Sequence, residues 1–379
     1  MLPVPELHAT PTQTPDTPPG SPSTAHLRAL VGRVFPGEPV DLQVRSLPGD
    51  ASSRRYLRLH FAAAVNGTKS LVLMCLAQPY TGGELPFVNV QRYLSLKGIP
   101  VPDVLWDDAA HGFLLLEDLG DVTLEAAWQG ASRAQVAGWY RQALDILLAL
   151  QYPESVAPRA SCVAFRLAFD VDKLMWELEF FLTHMIKQLC ARRLTPVDEA
   201  SLRGQFWKIA ATLARQPRVL THRDYHSRNL MLRQDRLCVI DFQDARLGPY
   251  QYDLASLLYD SYVVLPADLR EELLTYYLER KTARDGYVLD REAFVQVFDY
   301  MCLQRNLKAL GTFAFQTTVK HTQRYTAAIP PTLSYIRANL ARHPELRHLS
   351  DLLEVHLFAA IPSVLRDAET HTPDRSLAR

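Results

Sequence analysis

The residues with the clearest chemical potential lie between Thr221 and Asp241, in the run T-H-R-D-Y-H-S-R-N-L-M-L-R-Q-D-R-L-C-V-I-D. His222-Arg223-Asp224 leads to Asn229 in an H-R-D-x-x-x-x-N spacing, and Asp241 closes the stretch. Two short apolar runs, Leu230 to Leu232 and Leu237 to Ile240, flank Arg233-Gln234-Asp235-Arg236, the pattern of a β-hairpin with a tight turn. A hairpin reverses the chain, so Asn229 before its first strand and Asp241 after its second return to the same end. Neighbouring strands lie about 5 Å apart, close enough for both side chains to meet one ion. Phosphoryl transfer uses such a set. A carboxylate, here Asp224, orients an acceptor hydroxyl and takes its proton. An amide oxygen and a carboxylate, from Asn229 and Asp241, hold Mg²⁺ against the phosphates. Oxygen ligands suit that hard cation, where His or Cys would suit a softer one. Asp and Asn are common in turns, and H-R-D alone means little. The loop, hairpin and trailing Asp-Phe together are far more specific.

The rest of the chain must position these groups. It has 379 residues, 48% hydrophobic, with 41 Lys+Arg against 41 Asp+Glu. That length holds two or three domain-sized units, or one large two-lobed one. Zero formal charge argues against a nucleic-acid partner and a polybasic membrane surface. Five scattered cysteines without a C-x-x-C pair point to a reducing compartment rather than a disulfide framework. With no apolar run near the roughly 20 residues that span a bilayer, and no secretory signal at the N-terminus, a cytoplasmic location is expected. Residues 1–24 are Pro/Thr/Ser-rich and are expected to be a disordered leader. Ser23-Thr24 is a cap for a helix running through Phe35. From Val40 to Leu116 the signals are mostly β: Arg55 to Phe61 alternates, Ser70 to Leu76 is a buried-strand run, and Asn66-Gly67 between them is a hairpin turn. Phe87 to Lys97 reads as an amphipathic helix stopped by Gly98, followed by strands at Val104–Trp106 and Gly112–Leu116. Residues 132–151, 172–192, 197–215, 250–264, 267–282, 291–318 and 330–342 carry helical periodicity, interrupted by a β-rich stretch at 219–241. The expected class is α+β, a small antiparallel sheet followed by a helical lobe.

The catalytic stretch resembles that of the aminoglycoside phosphotransferase/choline kinase superfamily, and most closely the bacterial anomeric kinases of N-acetylmuramate and N-acetylglucosamine. Further stretches carry the likeness: Gly49-Asp50-Ala51-Ser52-Ser53-Arg54-Arg55-Tyr56, Gly112 to Gly120, Ile240-Asp241-Phe242-Gln243-Asp244, Tyr252-Asp253-Leu254-Ala255, and Gln304-Arg305-Asn306-Leu307-Lys308. The resemblance covers about residues 28 to 340. It implies a bilobal protein-kinase-like fold, with a nucleotide-binding lobe over 25–117, a helical catalytic and substrate lobe over 118–365, and a tail over 366–379. It implies ATP and Mg²⁺ as cofactors, with Asp224 the base and Asn229 and Asp241 the metal ligands. Ser52, Ser53 and Arg54 would cover the phosphates, Glu117 to Leu119 would meet the adenine, and Asp253 would brace the catalytic loop. The substrate it implies is an amino sugar phosphorylated on its anomeric hydroxyl in cell-wall sugar recycling, with the product passed to a nucleotidyltransferase.

Two departures stand out. Kinases commonly carry a Lys on the third strand for the phosphates, but Leu71 to Leu76 offers Met74 and Cys75 instead. The anomeric kinases also lack the Lys and usually place an acidic residue where this chain has Cys75. No G-x-G-x-x-G occurs either. The counter-charge is then sought from Arg54, Arg55 or Lys69, with a solvated charge the default for the two arginines at the strand start. His226, Arg228, Asp244, Glu177 and Arg305 are candidate substrate contacts, each with a structural alternative. Arg228 reads first as a loop brace, Asp244 as a turn carboxylate, and the aromatic stripe of Trp176 and Phe180 beside Glu177 as core packing. Arg305 and Lys308, three apart on one helix face, could meet an anionic lactyl carboxylate or a phosphate, with a solvated face the usual explanation. The rivals are an aminoglycoside or amino-alcohol kinase of the same fold, which needs clustered acidic residues that the C-terminal helices do not obviously show, although Asp/Glu pairs exist at 268–272, and a kinase-like binding module without turnover.

Overall fold

The computed structural model describes residues 22–37, 41–47, 54–80, 84–152 and 159–361. The leader expected over 1–24 lies outside them up to residue 21, as do Ser52, Ser53 and the tail expected over 366–379. The chain divides into two compact units, Met1–Thr81 with Val104–Asp118, and Gly82–Asp103 with Leu119–Arg379. It is an α+β chain, as expected: an antiparallel five-stranded sheet precedes a mostly helical remainder.

In the first unit, α1 (Thr24–Val34) is capped by Ser23, whose hydroxyl accepts from the His26 amide at 3.2 Å. The strands β1 (Leu42–Leu47), β2 (Arg55–Val65), β3 (Thr68–Cys75), β4 (Val104–Asp108) and β5 (Phe113–Glu117) are ordered β1-β2-β3-β5-β4. Asn66 and Gly67 join β2 to β3 with φ of 49° and 80°, the positive pair a tight hairpin turn needs. Register places Leu59 opposite Leu71 and Leu57 opposite Leu73. With a side-chain period of two, these residues share a face with Leu115, and α1 closes the core over it through Leu27, Leu30 and Val31. Asp108 joins α1 to the β4 end, accepting from His26 Nε2 at 3.0 Å and His111 Nδ1 at 2.8 Å.

The second unit begins earlier than the expected boundary at 117. Helix α2 (Pro86–Leu96) belongs to it because its side chains are committed there. Asn89 donates to the Ser161 carbonyl at 2.9 Å and accepts from the Val163 amide, Gln91 donates to the Pro102 carbonyl, and Phe87 packs on Phe242. After α3 (Leu124–Trp128) comes α4 (Arg133–Gln151), started by a reciprocal capping box between Ser132 and Gln135. Then follow α5 (Val171–Phe181), prolonged by a π-helical stretch to Leu189, and α6 (Pro196–Ala214). The expected hairpin is β7 (Leu230–Arg233) with β8 (Arg236–Val239), turning at Gln234 and Asp235, both at positive φ. On either side, β6 (Arg218–Thr221) pairs with β9 (Arg246–Pro249), a short strand that the periodicity did not separate from its surroundings.

Helix α7 (Gln251–Leu258) stops short of the expected 264 because Asp260 turns inward and accepts from the Ser227 amide, the Ser227 hydroxyl and the Tyr262 amide. The C-terminal helices are α8 (Ala267–Asp285), α9 (Arg291–Thr318), α10 (Ile329–Arg342) and α11 (Arg347–Leu353). Helix α9 is buried on most of its circumference from Met301 to Leu307, the mark of a central helix. It approaches α5 so closely that a Cβ at Gly311 would lie 2.7 Å from the Phe181 Cα. Because that neighbour is backbone, Gly311→Ala is expected to destabilise the protein by about 1–3 kcal/mol, read as a lower urea midpoint at unchanged slope.

Candidate active site

The catalytic stretch folds as loop, hairpin and return, all within the second unit. Asp224, Asn229 and Asp241 are brought to one end of the hairpin. Leu230 pairs with Val239, and the Ile240 amide donates to the Asn229 carbonyl at 3.0 Å, so Asp241 follows one residue after that link. The loop is held in a conformation it would not adopt unaided. Arg223 has φ 86° and Asp241 φ 65°, left-handed values that a side chain tolerates only where the surroundings impose them. Asp253, in the first turn of α7, supplies much of that constraint by accepting from the His222 amide at 2.6 Å and the Arg223 amide at 3.0 Å. This is the bracing expected of it. His222 is buried, and burial pushes its imidazole below the ordinary range, so it is neutral. Its Nε2 donates to the Ile240 carbonyl at 2.8 Å, tying the two ends of the stretch together.

Asp224 is partly accessible, and its surroundings are cationic. Lys308 Nζ lies 2.7 Å from Oδ1, Arg305 Nη1 3.7 Å from the same oxygen, and Arg223 Nε 3.9 Å from Oδ2. Burial alone would raise this carboxyl, but Lys308, Arg305 and Arg223 together hold it well below the usual carboxylate range. Asp224 is therefore ionised throughout the neutral range. Asn229 Nδ2 donates to the Asp224 carbonyl at 2.9 Å, which fixes the amide so that its oxygen is the group left for a ligand. Asp241 Oδ1 accepts from Gln243 Nε2 at 2.7 Å. A fixed amide oxygen beside a carboxylate is a donor set that fits a hard divalent cation.

The candidate substrate contacts divide. His226 lies beside Asp224, and burial drives its imidazole down to about 3. It is neutral, with Nδ1 buried and unpaired and its ring edge on Tyr262. Glu177 is almost fully buried; Oε2 accepts from Gln304 at 2.9 Å while Oε1 has no partner. Asp244 is exposed and pairs with Arg223 at 3.2 Å.

Arg228 and Arg305 depart from a substrate role. The Arg228 fork grips both oxygens of Glu125, at 2.7 and 2.9 Å, and its guanidinium covers the Tyr262 ring at 3.6 Å. Glu125 rides on α3, whose cap Thr123 is bridged to Met231. Arg305 is buried and spends both terminal nitrogens on the Arg223 carbonyl, the Tyr252 hydroxyl and the Ser256 hydroxyl. It holds the loop from behind. The expected solvated face of Arg305 and Lys308 is thus an inward face, because the catalytic loop packs over α9 there. The expected core stripe on α5 is also corrected: Trp176 is 54% exposed, with Lys173 Nζ 3.8 Å above its ring.

In the first unit, Glu117 ends β5 opposite Leu71, and Arg58 with Ser70 pins the adjacent Asp118, with Arg58 Nε 2.7 Å and the Ser70 hydroxyl 2.6 Å from Oδ2. Arg54 lies half-buried just before β2. Arg55 faces Cys75 across the β2–β3 pair, on the side that packs on α1, and Lys69 is exposed beside the hairpin turn. Leu119 is buried in the second unit.

A profile described as the phosphotransferase enzyme family matches residues 43–288. The chain belongs to that family. The match spans the sheet, the loop and hairpin from Thr221 to Asp241, and α7. The N-acetylmuramate/N-acetylglucosamine kinase of Pseudomonas aeruginosa is 33% identical over 322 residues, covering 84% of this chain and 89% of that protein. The protein of the same name in Neisseria meningitidis serogroup B is 31% identical over 331 residues, covering 86% and 94%. Among solved structures, a choline/ethanolamine kinase family protein from Mesorhizobium loti superposes with a TM-score of 0.54 at 16% identity, covering 87% of this chain and 98% of that one. That likeness shows a shared fold. The acidic pairs that could have suggested a polycationic substrate are engaged within this phosphotransferase: Asp268 pairs with Arg133, Glu272 with Arg141, and Glu271 with Arg291.

Sequence reasoning missed Glu125, Asp260 and the inward aim of Lys308. Nothing in the periodicity, which runs on to 264, pointed to Asp260. No described helix is long and apolar enough to cross a membrane.

Proposed function

We propose that this phosphotransferase is an ATP- and Mg²⁺-dependent kinase of an amino sugar, N-acetylmuramate and/or N-acetylglucosamine, and that it phosphorylates the anomeric hydroxyl. The observation that carries the reading is Asp224, ionised and partly accessible, standing at one end of a hairpin with Asn229 and Asp241. The relatives' name supplies the substrate class. Asp224 accepts a hydrogen bond from the acceptor hydroxyl and takes its proton as the bond to phosphorus forms. Asn229 Oδ1 and the Asp241 carboxylate would hold Mg²⁺, which supplies charge neutralisation at the phosphates when bound. His226, neutral and with Nδ1 unpaired, and Glu177, with one free oxygen, are the polar groups left to meet sugar hydroxyls.

The anomeric hydroxyl is the most acidic of a free sugar because the ring oxygen stabilises its oxyanion, so it is the hydroxyl that gives up its proton to a carboxylate most readily. The sugar 1-phosphate so formed is the kind of activated product that a nucleotidyltransferase consumes, which agrees with a place in cell-wall sugar recycling.

Proton-coupled ³¹P NMR of the protein with ATP, Mg²⁺ and each sugar in parallel tests this. The expected result is a doublet from phosphate on the anomeric carbon, absent with Asp224→Ala. Phosphate on another carbon would overturn the anomeric assignment, and no sugar phosphate in either tube would overturn the amino-sugar reading.

A further inference from the structure

The far end of β3, where kinases commonly carry a Lys, has none: Met74 and Cys75 occupy it and are buried. Arg55 faces Cys75 on the side that α1 covers, and Lys69 points to solvent. Among the described residues, a cation stands elsewhere, at Asp224. Lys308, on α9, is 84 residues away in sequence from Asp224, yet its Nζ is 2.7 Å from the carboxylate and its side chain is only 15% exposed. Its partner is not a structural anion, since Asp224 is the group that must receive the acceptor hydroxyl. A hydroxyl bonded to Asp224 lies within about two hydrogen-bond lengths, roughly 6 Å, of Nζ. That places the ammonium beside the oxygen being phosphorylated and the phosphoryl group arriving on it. Arg305, the other cation on this face, is consumed by the Arg223 carbonyl, Tyr252 and Ser256, whereas Asp224 is the sole hydrogen-bond partner of Lys308 Nζ among the described residues.

We propose that Lys308 is a catalytic residue: it rests on Asp224 in the free protein and turns to an oxygen of the transferring phosphoryl group during reaction, doing from α9 what the missing strand Lys does elsewhere. The inference rests on the kinase reading above but not on which sugar is the acceptor. In the step, the acceptor oxygen bonds to the γ-phosphorus. The bond from that phosphorus to the β,γ-bridging oxygen breaks, and its electron pair leaves on ADP. The hydroxyl proton passes to Asp224. As that carboxylate is neutralised, its hold on Lys308 weakens, just when negative charge develops on the phosphoryl oxygens. The same ammonium serves both states without a search, which is the advantage of a preorganised charge. Asp224, Arg305, Arg223 and Glu177 are the charged groups that surround it. Asp224 in turn is faced by Lys308 and Arg305 from α9, and by Arg223 and His226 from its own loop.

Lys308→Met keeps the length of the side chain and removes its charge. Expected is a fall in kcat of about 10²–10³-fold, the usual cost of one preorganised donor, equal for both sugars. Lys308→Arg should restore part of it. Binding of ADP with aluminium fluoride, a mimic of the phosphoryl group in flight, should weaken by a similar factor while binding of ADP alone is unchanged. The role is overturned if only the KM for N-acetylmuramate rises, which would make Lys308 a carboxylate ligand. It is equally overturned if ADP and the fluoride complex weaken alike, which would make it structural. The nucleotide measurements need no sugar, so a wrong acceptor assignment would leave this test readable.

Discussion

Asp224→Asn is expected to lower kcat by about 10²–10⁴-fold, the range supplied by a positioned proton acceptor, with little change in the KM for ATP. The amide is isosteric but cannot take the hydroxyl proton, and it leaves Lys308 without its counter-charge. The wild-type pH profile carries the complementary signature. Burial alone would lift the Asp224 carboxyl, but Lys308, Arg305 and Arg223 hold it well below the ordinary carboxylate value. The folded group therefore stays charged as the pH falls through the range where a free aspartate protonates, and the acid limb of kcat/KM should lie below that range. Stability follows the same sign: what this ionised carboxylate contributes is present above the unfolded value and is lost only as pH falls through the lower folded one. Steady-state kinetics from pH 4 upward would show it, and an acid limb near neutrality would contradict the assignment.

Asp253→Ala should damage both stability and turnover. It removes the acceptor of the His222 and Arg223 amides, and His222 is buried, with 2% exposure. Each stranded donor costs about 1–3 kcal/mol. Arg223 would also lose one restraint on its φ of 86°, so Asp224 beside it would shift. A displacement of even an ångström at a reacting group costs roughly 10²-fold. Urea unfolding and kcat measured on one preparation should therefore fall together, unlike the Asp224→Asn variant, which should lose activity with its fold intact. A variant that unfolds like wild type with full activity would show that the loop does not depend on this brace.

Local spacing encodes the machinery around Asp224. The H-R-D-x-x-x-x-N spacing, the hairpin and the trailing Asp241 are encoded within 21 consecutive residues, and a two-residue turn leaves little choice about which ends meet. The helix over 291–318 was legible to the residue because its periodicity is long, and Asp290 caps it through its side chain. The β2–β3 hairpin was legible because Asn66-Gly67 admits the positive φ values it requires.

Tertiary structure alone decided which way the long-range charges face. Periodicity shows that Arg305 and Lys308 share a helix face, but not whether water or another segment lies against it. The catalytic loop lies there, so both residues turn from solvated charges into a brace and a counter-charge for Asp224. The same limit explains Trp176, which has the spacing of a core residue and an exposed ring. It also explains Arg228, whose partner Glu125 is 103 residues away. It explains α2 as well, which follows the sheet strands in sequence but packs with the helical unit. Spacing along a chain determines what neighbours can do together. Burial and charge pairing across it depend on contacts that no local pattern encodes.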